Sequence, residues 1–339
     1  MAPSSRTEAL GRLDGDDELV RAILPHCRLT RGGVWEDPVR GHRVGVCDAA
    51  DPDEVARLFA DVRVRTVIND PPYNVIVGGV KKSDALGKMT LAAYLEFSRR
   101  WVENAVACMA DDADLFVWLG ADYRDHFRPL PDFMVLMRAV EALRAKNYIT
   151  VRNQRGYGTQ KNWMWIRQEL LHYAKGNPSF RVVYTDIPKV LKGYYKVVGG
   201  AMTENIERSR SETIRPGNVW IDIQQVFYRM EENVPGCYAQ KPLSAIERIM
   251  RCCSDEGDVI GDFFAHSGST LIAGERLGRR VITCDLDPVF AEIAIRRLER
   301  FRATGKAGWQ WQSPFPEVTG DATESDGGDA ADPDDGRLF

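Results

Sequence analysis

Short apolar runs alternate with amphipathic segments along most of this chain. Residues 44–46, 66–68 and 115–119 are largely apolar runs with the length of buried strands. Between these runs, residues 54–59 and 91–109 place apolar side chains at helical spacing. This alternation predicts a parallel sheet covered by helices, and therefore an α/β fold.

The same alternation resumes towards the C-terminus. In chain order, the predicted elements are helix 242–252, strand 259–264, helix 269–277, strand 281–284 and helix 290–301. Residues 166–173 are also predicted to be helical. The intervening residues 184–238 show little periodicity and combine Gly and Pro with aromatic and basic residues. This composition is typical of an irregular inserted segment.

These patterns divide the chain into five parts. They are an N-terminal extension (1–40), a first α/β half (41–183), an inserted recognition region (184–238), a second α/β half (239–305) and an acidic tail (306–339). The end of the tail is rich in Asp and Gly, so the tail is predicted to be disordered.

Charge is distributed unevenly along the 339 residues. The formal net charge is −4, but residues 317–339 contain eight acidic residues and one basic residue, which leaves the rest of the chain mildly basic. Residues 144–215 contain fourteen Lys or Arg and five acidic residues. This excess is compatible with a surface that binds a polyanion, or with a solvated face whose compensating acids lie elsewhere in the fold.

Composition argues against several classes of protein. No apolar run approaches the roughly 20 residues of a membrane helix. The N-terminus has neither a secretory nor a transit-peptide profile, so we expect a cytoplasmic protein without membrane contact. The seven Cys form no CxxC pair and the five His are dispersed. We therefore expect reduced, mostly buried thiols, no disulfide framework and no metal site.

A first chemical signature, Asn-Asp-Pro-Pro-Tyr-Asn at residues 69–74, directly follows a predicted buried strand. Pro71 and Pro72 stiffen the chain at the end of a strand, where open α/β sheets bind ligands. Asp70 and the carbonyl group of Pro71 can accept hydrogen bonds from an exocyclic amino group, and Tyr73 offers a face for stacking a planar base. An ordinary turn can have the same sequence, so this signature alone does not decide the function.

A second signature lies at residues 258–270, where a predicted strand ends in small residues and a helix begins. Small residues let a ligand approach the backbone, and the amides at a helix start can hold a carboxylate. Asp285 ends the next predicted strand, where it can accept hydrogen bonds from ribose hydroxyls. The chain has no GxGxxG and no Walker lysine, which disfavours NAD and ATP. A cofactor with a ribose, an amino-acid carboxylate and no phosphate fits better.

The two signatures, in this order, resemble those of the β class of S-adenosylmethionine-dependent DNA amino-methyltransferases. The resemblance spans about residues 44–301 and includes the Gln-Lys-Pro block at 240–242. It implies a Rossmann-like methyltransferase fold, with a mostly parallel twisted sheet, helices on both faces and a target recognition region at 184–238. Residues 41–183 would then form the catalytic half of the methyltransferase domain, and residues 239–305 the cofactor-binding half.

The resemblance also implies roles for individual residues. The catalytic residues are Asp70, Pro71, Pro72 and Tyr73. Contacts with S-adenosylmethionine are expected from Asp48, Asp70, Lys241, Asp262, Phe264, His266, Ser267, Gly268, Ser269 and Asp285. Contacts with duplex DNA are expected from Lys189, Lys192, Lys196, Arg208, Arg210 and Arg215. His266 occupies a position where the family often has Gly, and three alternatives stay open for its side chain: it narrows the cofactor mouth, contacts the methionine carboxylate or faces solvent.

In the mechanism that the resemblance implies, the target base is flipped out of the duplex and its exocyclic nitrogen is methylated directly. Asp at position 70 favours adenine N6, but cytosine N4 stays open, as do an RNA substrate and a DNA-binding protein that has lost turnover. Trp163 and Trp165 are equally compatible with a pocket wall and with the core. Besides duplex DNA, a cognate restriction endonuclease and a second copy of the chain are expected partners.

Overall fold

The computed structural model of the chain describes residues 10–74, 89–122, 125–157, 160–161, 163–189, 193–206 and 211–319. The helices are α1 (Asp17–Ile23), α2 (Pro52–Phe59), α3 (Leu91–Cys108), α4 (Leu130–Met137), α5 (Leu243–Cys253), α6 (Ser269–Leu277), α7 (Pro288–Thr304) and α8 (Pro316–Thr319). The strands are β1 (Val34–Glu36), β2 (Arg43–Val46), β3 (Val64–Asn69), β4 (Met109–Leu119), β5 (Ala121–Asp122), β6 (Arg128–Pro129), β7 (Arg144–Tyr157), β8 (Trp165–Lys175), β9 (Gly193–Val198), β10 (Ala201–Ile206), β11 (Val219–Trp220), β12 (Val259–Asp262) and β13 (Arg280–Asp285).

The central sheet has nine strands in the order β1-β2-β13-β12-β3-β4-β8-β7-β11. The five strands from β2 to β4 are parallel, while β1 and β8 run antiparallel to their neighbours. Neighbouring residues of β3 point to opposite faces: Val67 packs with residues of α2, α3 and α4, and Ile68 packs with residues of α5, α6 and α7. The predicted α/β class, with a mostly parallel sheet and helices on both faces, is confirmed.

The prediction of a helix at 166–173 is wrong. These residues belong to β8, which pairs antiparallel with β4 on one side and with β7 on the other. Leu and Gln in this segment favour a helix locally, but a strand between two partners satisfies its backbone on both edges. Residues 169–174 are all buried, and that tertiary context overrides local propensity.

Both ends of the described chain pack together beside the sheet. Leu10 and Ile23 from the N-terminal extension form one buried cluster with Val234, Trp309 and Phe315. The prediction that the tail is disordered from residue 306 is therefore wrong for 306–319, because aromatic burial holds this segment in place. The rest of the predicted tail, residues 320–339, lies outside the described residues.

Strand order creates a crevice between β3 and β12. The connection from β12 through α6 leads to β13 on one side, whereas the connection from β3 through α3 leads to β4 on the other. Ligands bind in open α/β sheets where the connections reverse in this way. Both signatures end strands at this crevice, although they lie far apart in the chain.

Two further sequence expectations concern cysteines and membranes. Six of the seven cysteines are buried and Cys27 is half-buried, so the expectation of mostly buried cysteines is confirmed, while their reduced state stays a prediction. Among the helices that the structure describes, none combines the length and the apolar composition that a membrane span requires.

Candidate functional site

The loops that follow β3 and β12 are joined directly. The side-chain oxygen of Asn69, the last residue of β3, accepts a hydrogen bond from the backbone amide of Phe263 at 3.0 Å. Asn69 is fully buried, so this bond is shielded from water. It fixes the start of the Asp-Pro-Pro-Tyr loop relative to the loop at residues 262–269 on the expected cofactor side (the cofactor-side loop). The two bonded residues are 194 apart in sequence.

Asp70 has a partner on each carboxylate oxygen. The hydroxyl of Tyr73 donates to Oδ1 at 2.7 Å, and the ammonium group of Lys241 donates to Oδ2 at 2.6 Å. Lys241 is buried, and its Nζ lies 5.3 Å from the ring centre of Tyr73 and 5.6 Å from that of Trp118. A buried ammonium group between a carboxylate and two aromatic faces is held by charge and by cation–π attraction.

The backbone of the Asp-Pro-Pro-Tyr loop is fixed by contacts on both sides. The carbonyl of Pro72 accepts a hydrogen bond from the Tyr94 hydroxyl at 2.9 Å. Asn74 has a positive φ, and its side chain bonds both the amide and the carbonyl of Met89. A Cβ atom at Gly120 would lie 2.6 Å from the Tyr73 ring, so glycine is needed there for the ring to occupy this place.

Glycine is required at position 268, at the start of α6, by both the backbone conformation and the neighbouring residues. Its φ is +74°, and a Cβ atom there would lie 2.9 Å from the Cα of Ala294 in α7. The preceding Ser267 and the following Ser269 are buried, and their hydroxyls lie 3.2 Å apart. The hydroxyl of Ser269 also donates to the backbone carbonyl of Lys241 at 3.0 Å, which links the cofactor-side loop to the lysine beside Asp70.

Arg297 of α7, which sequence reasoning missed, stabilises the cofactor-side loop by hydrogen bonds. Its fully buried guanidinium donates to the Ser267 carbonyl at 2.8 Å and to the Ser269 hydroxyl at 3.1 Å. It also donates to the carbonyls of Glu232 at 3.0 Å and Ala307 at 2.5 Å. Burial lowers the pKa of Arg297 to about 10, so the group is still charged at neutral pH.

Two carboxyl groups near the crevice have raised pKa values: Asp262 in the second signature and Asp285 at the end of β13. Burial raises the pKa of Asp262 to about 7 and that of Asp285 to about 6, and nearby carboxylates add to both shifts. Asp262 accepts from the Phe264 amide, and Asp285 accepts from the His266 amide, each at 2.9 Å. A cation or a set of hydroxyl donors placed beside these carboxylates would lower both pKa values.

One cavity brings together most of the predicted cofactor residues. Seven of them line it, with five residues that were not predicted: Asp70, Lys241, Asp262, Phe264, His266, Ser267 and Ser269, together with Ile68, Trp118, Ile246, Ala265 and Thr270. Trp118 lies in an apolar strand run, where nothing in the sequence separates a pocket wall from core. The half-buried His266 lines the cavity with its ring 5.0 Å from that of Phe290, so the narrowing alternative fits its position.

The other three predicted cofactor residues do not line this cavity: Asp48, Gly268 and Asp285. Asp285 ends β13 and lies behind the cavity wall through its bond to the His266 amide. Asp48 follows β2 at the same edge of the sheet, where its side chain accepts from the Ala50 amide at 2.9 Å. Its carboxylate lies 3.9 Å from Arg31, and the structure does not bring it to the cavity wall.

The predicted DNA-contacting residues are only partly described. Exposed Arg215 lies 6.0 Å from the ring centre of Phe180, and the backbone amide of Lys189 bonds the carbonyl of Glu212 at 2.9 Å. Lys196 lies in β9, which pairs with β10 as a hairpin. The remaining three residues of the set lie outside the described residues: Lys192, Arg208 and Arg210.

Trp163 and Trp165 belong to neither of the two environments that the sequence left open. Trp163 is 93% exposed and Trp165 is 37% exposed. Both lie at the end of the hairpin of β7 and β8, which is a strand pair and not the helix that the sequence predicted.

A buried polar cluster lies between the sheet and α5. Asp114, His172 and Cys253 place their potential ligand atoms within 4.8 Å of one another, which dispersed histidines in the sequence did not indicate. His172 and the ammonium group of Lys146 both contact Asp114 Oδ1, at 2.7 and 3.0 Å. The ammonium group of Lys146 and the guanidinium group of Arg65, 3.8 Å from Oδ2, thus already compensate this carboxylate, and the expectation of no metal site stays a prediction.

Comparison with known proteins decides the family. A family model described as DNA methylase, of the N6 and N4 type, matches residues 64–296. The chain belongs to this family. The predicted membership of the S-adenosylmethionine-dependent DNA amino-methyltransferases is therefore confirmed.

Individual relatives agree with this assignment. The chain is 25% identical to the type II methyltransferase M.HpaI of Haemophilus parainfluenzae, over 69% of this chain and 67% of that protein. It is also 25% identical to M.BamHI of Bacillus amyloliquefaciens, over 69% of this chain. The match spans about half (52%) of the length of M.BamHI. A putative DNA modification methylase of Thermus thermophilus, solved in complex with S-adenosyl-L-methionine, shares the fold with a TM-score of 0.50 and 24% identity, over 77% of this chain and 93% of the other.

Proposed function

We propose that this protein transfers a methyl group from S-adenosylmethionine to the exocyclic N6 of adenine in a short duplex DNA sequence. The observation that carries the proposal is the position of Asp70. Its carboxylate lies on the wall of the cavity that Asp262, Ser267 and Ser269 line, at the crevice between β3 and β12. An amino-group acceptor and a cofactor cradle therefore share one cavity.

The residues of the cavity fit S-adenosylmethionine. Gly268 and the small residues beside it let a ligand approach the backbone at the start of α6, where amides favour a carboxylate. Asp262 and Asp285, whose pKa values are raised, match a ligand that brings positive charge and hydroxyl donors. When bound, the cofactor supplies an electrophilic methyl group.

Asp70 and Pro71 orient the target amino group in the proposed reaction. The Asp70 carboxylate and the Pro71 carbonyl accept hydrogen bonds from the two N–H groups of the amino group. The nitrogen lone pair then faces the methyl group in line. The adenine reaches this place by flipping out of the duplex, because N6 is inaccessible within the stack. Tyr73 bonds Asp70 Oδ1 at 2.7 Å, and because each carboxylate oxygen can accept more than one hydrogen bond, the amino group can bind beside this hydroxyl or replace it.

The choice of adenine rests on the carboxylate at position 70. Cytosine N4 presents the same kind of amino group, and the family to which the chain belongs includes both activities. Analysis of the modified base distinguishes the two. A protein that binds DNA without turnover is disfavoured by the intact Asp-Pro-Pro-Tyr block and its ion pair with Lys241.

We propose that DNA is recognised by the less buried part of the predicted 184–238 region. Within this region Trp220, Ile223 and Val234 are buried in the core, so they support the fold. Lys189 and Arg215 lie in the remaining part and are our candidates for phosphate contacts. The division into catalytic and cofactor-binding halves, the cytoplasmic location, the cognate endonuclease and the homodimer stay predictions.

The decisive experiment is long-read methylation sequencing of a plasmid expressed with this protein in a host without its own methylation. N6-methyladenine at one short sequence is expected with the wild-type protein and with Asp61→Ala, and is expected to be absent with Asp70→Ala. Asp61 is an exposed aspartate near the opposite end of β3, so it controls for loss of a carboxylate. N4-methylcytosine marks would overturn the choice of adenine, and no marks with folded, cofactor-binding protein would overturn the proposed function.

A further inference from the structure

The hairpin of β7 and β8 extends beyond the edge of the sheet where the cavity lies. Leu119, the last residue of β4, pairs with Glu169, whereas β8 begins four residues earlier at Trp165, opposite Tyr157. At about 3.3 Å per residue, Trp165 stands about 13 Å beyond Glu169. The hairpin therefore projects from the edge at which Asp70 lies.

The hairpin also stands close to Asp70 across the sheet. Val117 of β4 pairs with Asn69 of β3 on one side and with Leu171 of β8 on the other. Because neighbouring strands lie about 4.8 Å apart, β8 is about 10 Å from β3 at this level. The hairpin therefore lies two strands away from the loop that carries Asp70, at the same edge of the sheet.

The end of this hairpin presents apolar side chains to solvent. Trp163, Met164 and Trp165 are consecutive and are 93%, 62% and 37% exposed. Most of the surface of Trp163 and Met164 therefore stays in water. Residues 152–168 also contain four basic residues and no acidic residue. Aromatic and basic side chains together are the chemistry that binds unstacked bases and their phosphates.

We propose that Trp163 enters duplex DNA beside the target base and occupies the space that the flipped base leaves. This inference rests on the proposed function and names a further DNA contact of the same site. Apolar wedges between base steps unstack them, and stacking on an indole ring compensates the neighbouring bases for the contact they lose. The exposed Lys161 and Arg152 are suited to hold the adjacent phosphates.

The test compares two duplexes that contain the mapped target sequence. In one the target adenine is normally paired, and in the other it faces a mismatched base, so that flipping costs less. With full-length protein and S-adenosylmethionine, Trp163→Ala is expected to lower kcat/KM about 10-fold on the paired duplex, the size of one lost stacking contact, and less than about threefold on the mismatched one. Trp163→Phe keeps an aromatic ring and is expected to retain most activity.

Trp311→Ala is the matched control, because it removes another exposed tryptophan (51%) that lies outside the hairpin. It is expected to behave like the wild-type protein on both duplexes. An equal loss on both duplexes with Trp163→Ala, or no loss, would overturn the wedge, since a wedge acts on the cost of unpairing.

Failure of the proposed function is recognised separately, because the wild-type protein would then methylate no DNA. In that case, the dissociation constants for a short duplex with one abasic nucleotide and for the intact duplex are compared. This comparison tests the insertion of Trp163 without any methylation. A preference of the wild-type protein for the abasic duplex that Trp163→Ala loses supports it. Equal binding of both duplexes by the wild-type protein overturns it.

Discussion

The two loops that meet at the crevice are held in different ways. In the cofactor-side loop, residues 262–269, most residues are buried, and backbone amides and the Arg297 guanidinium satisfy its polar groups. The loop at residues 70–74 is half-buried for most of its length, and its carboxylate is held by two side chains, Tyr73 and Lys241.

This difference separates a loop held by hydrogen bonds to its backbone groups from one held by side chains. The hydrogen bonds of the cofactor-side loop are made within the protein, so we expect a ligand to enter with little reorganisation. The Asp70 carboxylate, by contrast, depends on two side chains that can move when a substrate amino group arrives. We therefore expect changes in the cofactor-side loop to alter stability and cofactor affinity, and changes in the Asp-Pro-Pro-Tyr loop to alter turnover.

Arg297→Met should have the largest effect on stability. It leaves the carbonyls of Ser267, Glu232 and Ala307 without their buried donor, and we expect a loss of about 4 kcal/mol in the free energy of unfolding. Urea denaturation measures this loss. Arg99→Met, which removes an exposed arginine paired with Glu96 and Glu103, is the control and should leave the free energy of unfolding nearly unchanged. Similar losses in both variants would contradict the supporting role of Arg297.

Gly268→Ala should come next. We expect a loss of about 3 kcal/mol, because the new Cβ atom meets Ala294 and the residue keeps a positive φ. Gly305 has the same φ of +74° but open space around it, so Gly305→Ala should cost only about 1 kcal/mol. Thermal or urea denaturation of the pair isolates the contact with Ala294. Cofactor affinity should fall in the first variant alone.

Lys241→Met tests how the Asp-Pro-Pro-Tyr loop is held, because Lys241 pairs with Asp70. Removing the ammonium group leaves Asp70 with one partner, and we expect kcat to fall about 30-fold, which corresponds to about 2 kcal/mol of positioning. The dissociation constant of S-adenosylmethionine, measured by calorimetry, should change less than kcat does. Lys241→Arg keeps the charge and should recover part of the activity. A loss of cofactor affinity equal to the loss of kcat would instead make Lys241 part of the cradle.

Cofactor affinity should depend on pH through the cradle carboxylates. The pKa of Asp285 is raised to about 6, so at pH 5 most molecules carry a proton there, which a ligand that needs the carboxylate must displace. Through Asp285 alone, the dissociation constant should therefore rise about 10-fold from pH 7 to pH 5, and titration of Asp262 would add to this rise. Asp285→Asn should weaken binding at pH 7 and reduce this dependence by the share of Asp285. An unchanged slope in that variant would assign the titration to Asp262 or to another group.

Tyr73→Phe should have the smallest effect. It keeps the ring against Gly120 but removes the hydroxyl that occupies Asp70, so we expect kcat/KM within about threefold of the wild-type value. Tyr73→Ala removes the stacking face as well and should lose far more. Steady-state methylation of the mapped duplex checks both. A large loss in Tyr73→Phe would show that the hydroxyl acts in the reaction itself.

The sequence indicated the sheet, the order of its helices and the residues of both signatures. It could do so because strand ends and glycine positions are local properties, and Asp70, Asp262 and Gly268 each lie where their own segment places them. It was wrong about 166–173, where pairing with two neighbouring strands outweighs helical propensity. It was also wrong about 306–319, where Trp309 and Phe315 pack against the N-terminal segment.

Contacts between distant segments were decided by the tertiary structure alone. Lys241 pairs with Asp70 across 171 residues, and the fold gives Arg297 its partners in three other segments. The exposure of Trp163 is likewise invisible in a sequence where tryptophans usually indicate core. Local chemistry determined which groups this protein brings to its site. Only the packing of the chain on itself determined which of them meet, because hydrogen bonds and ion pairs depend on distances in space that spacing along the chain does not fix.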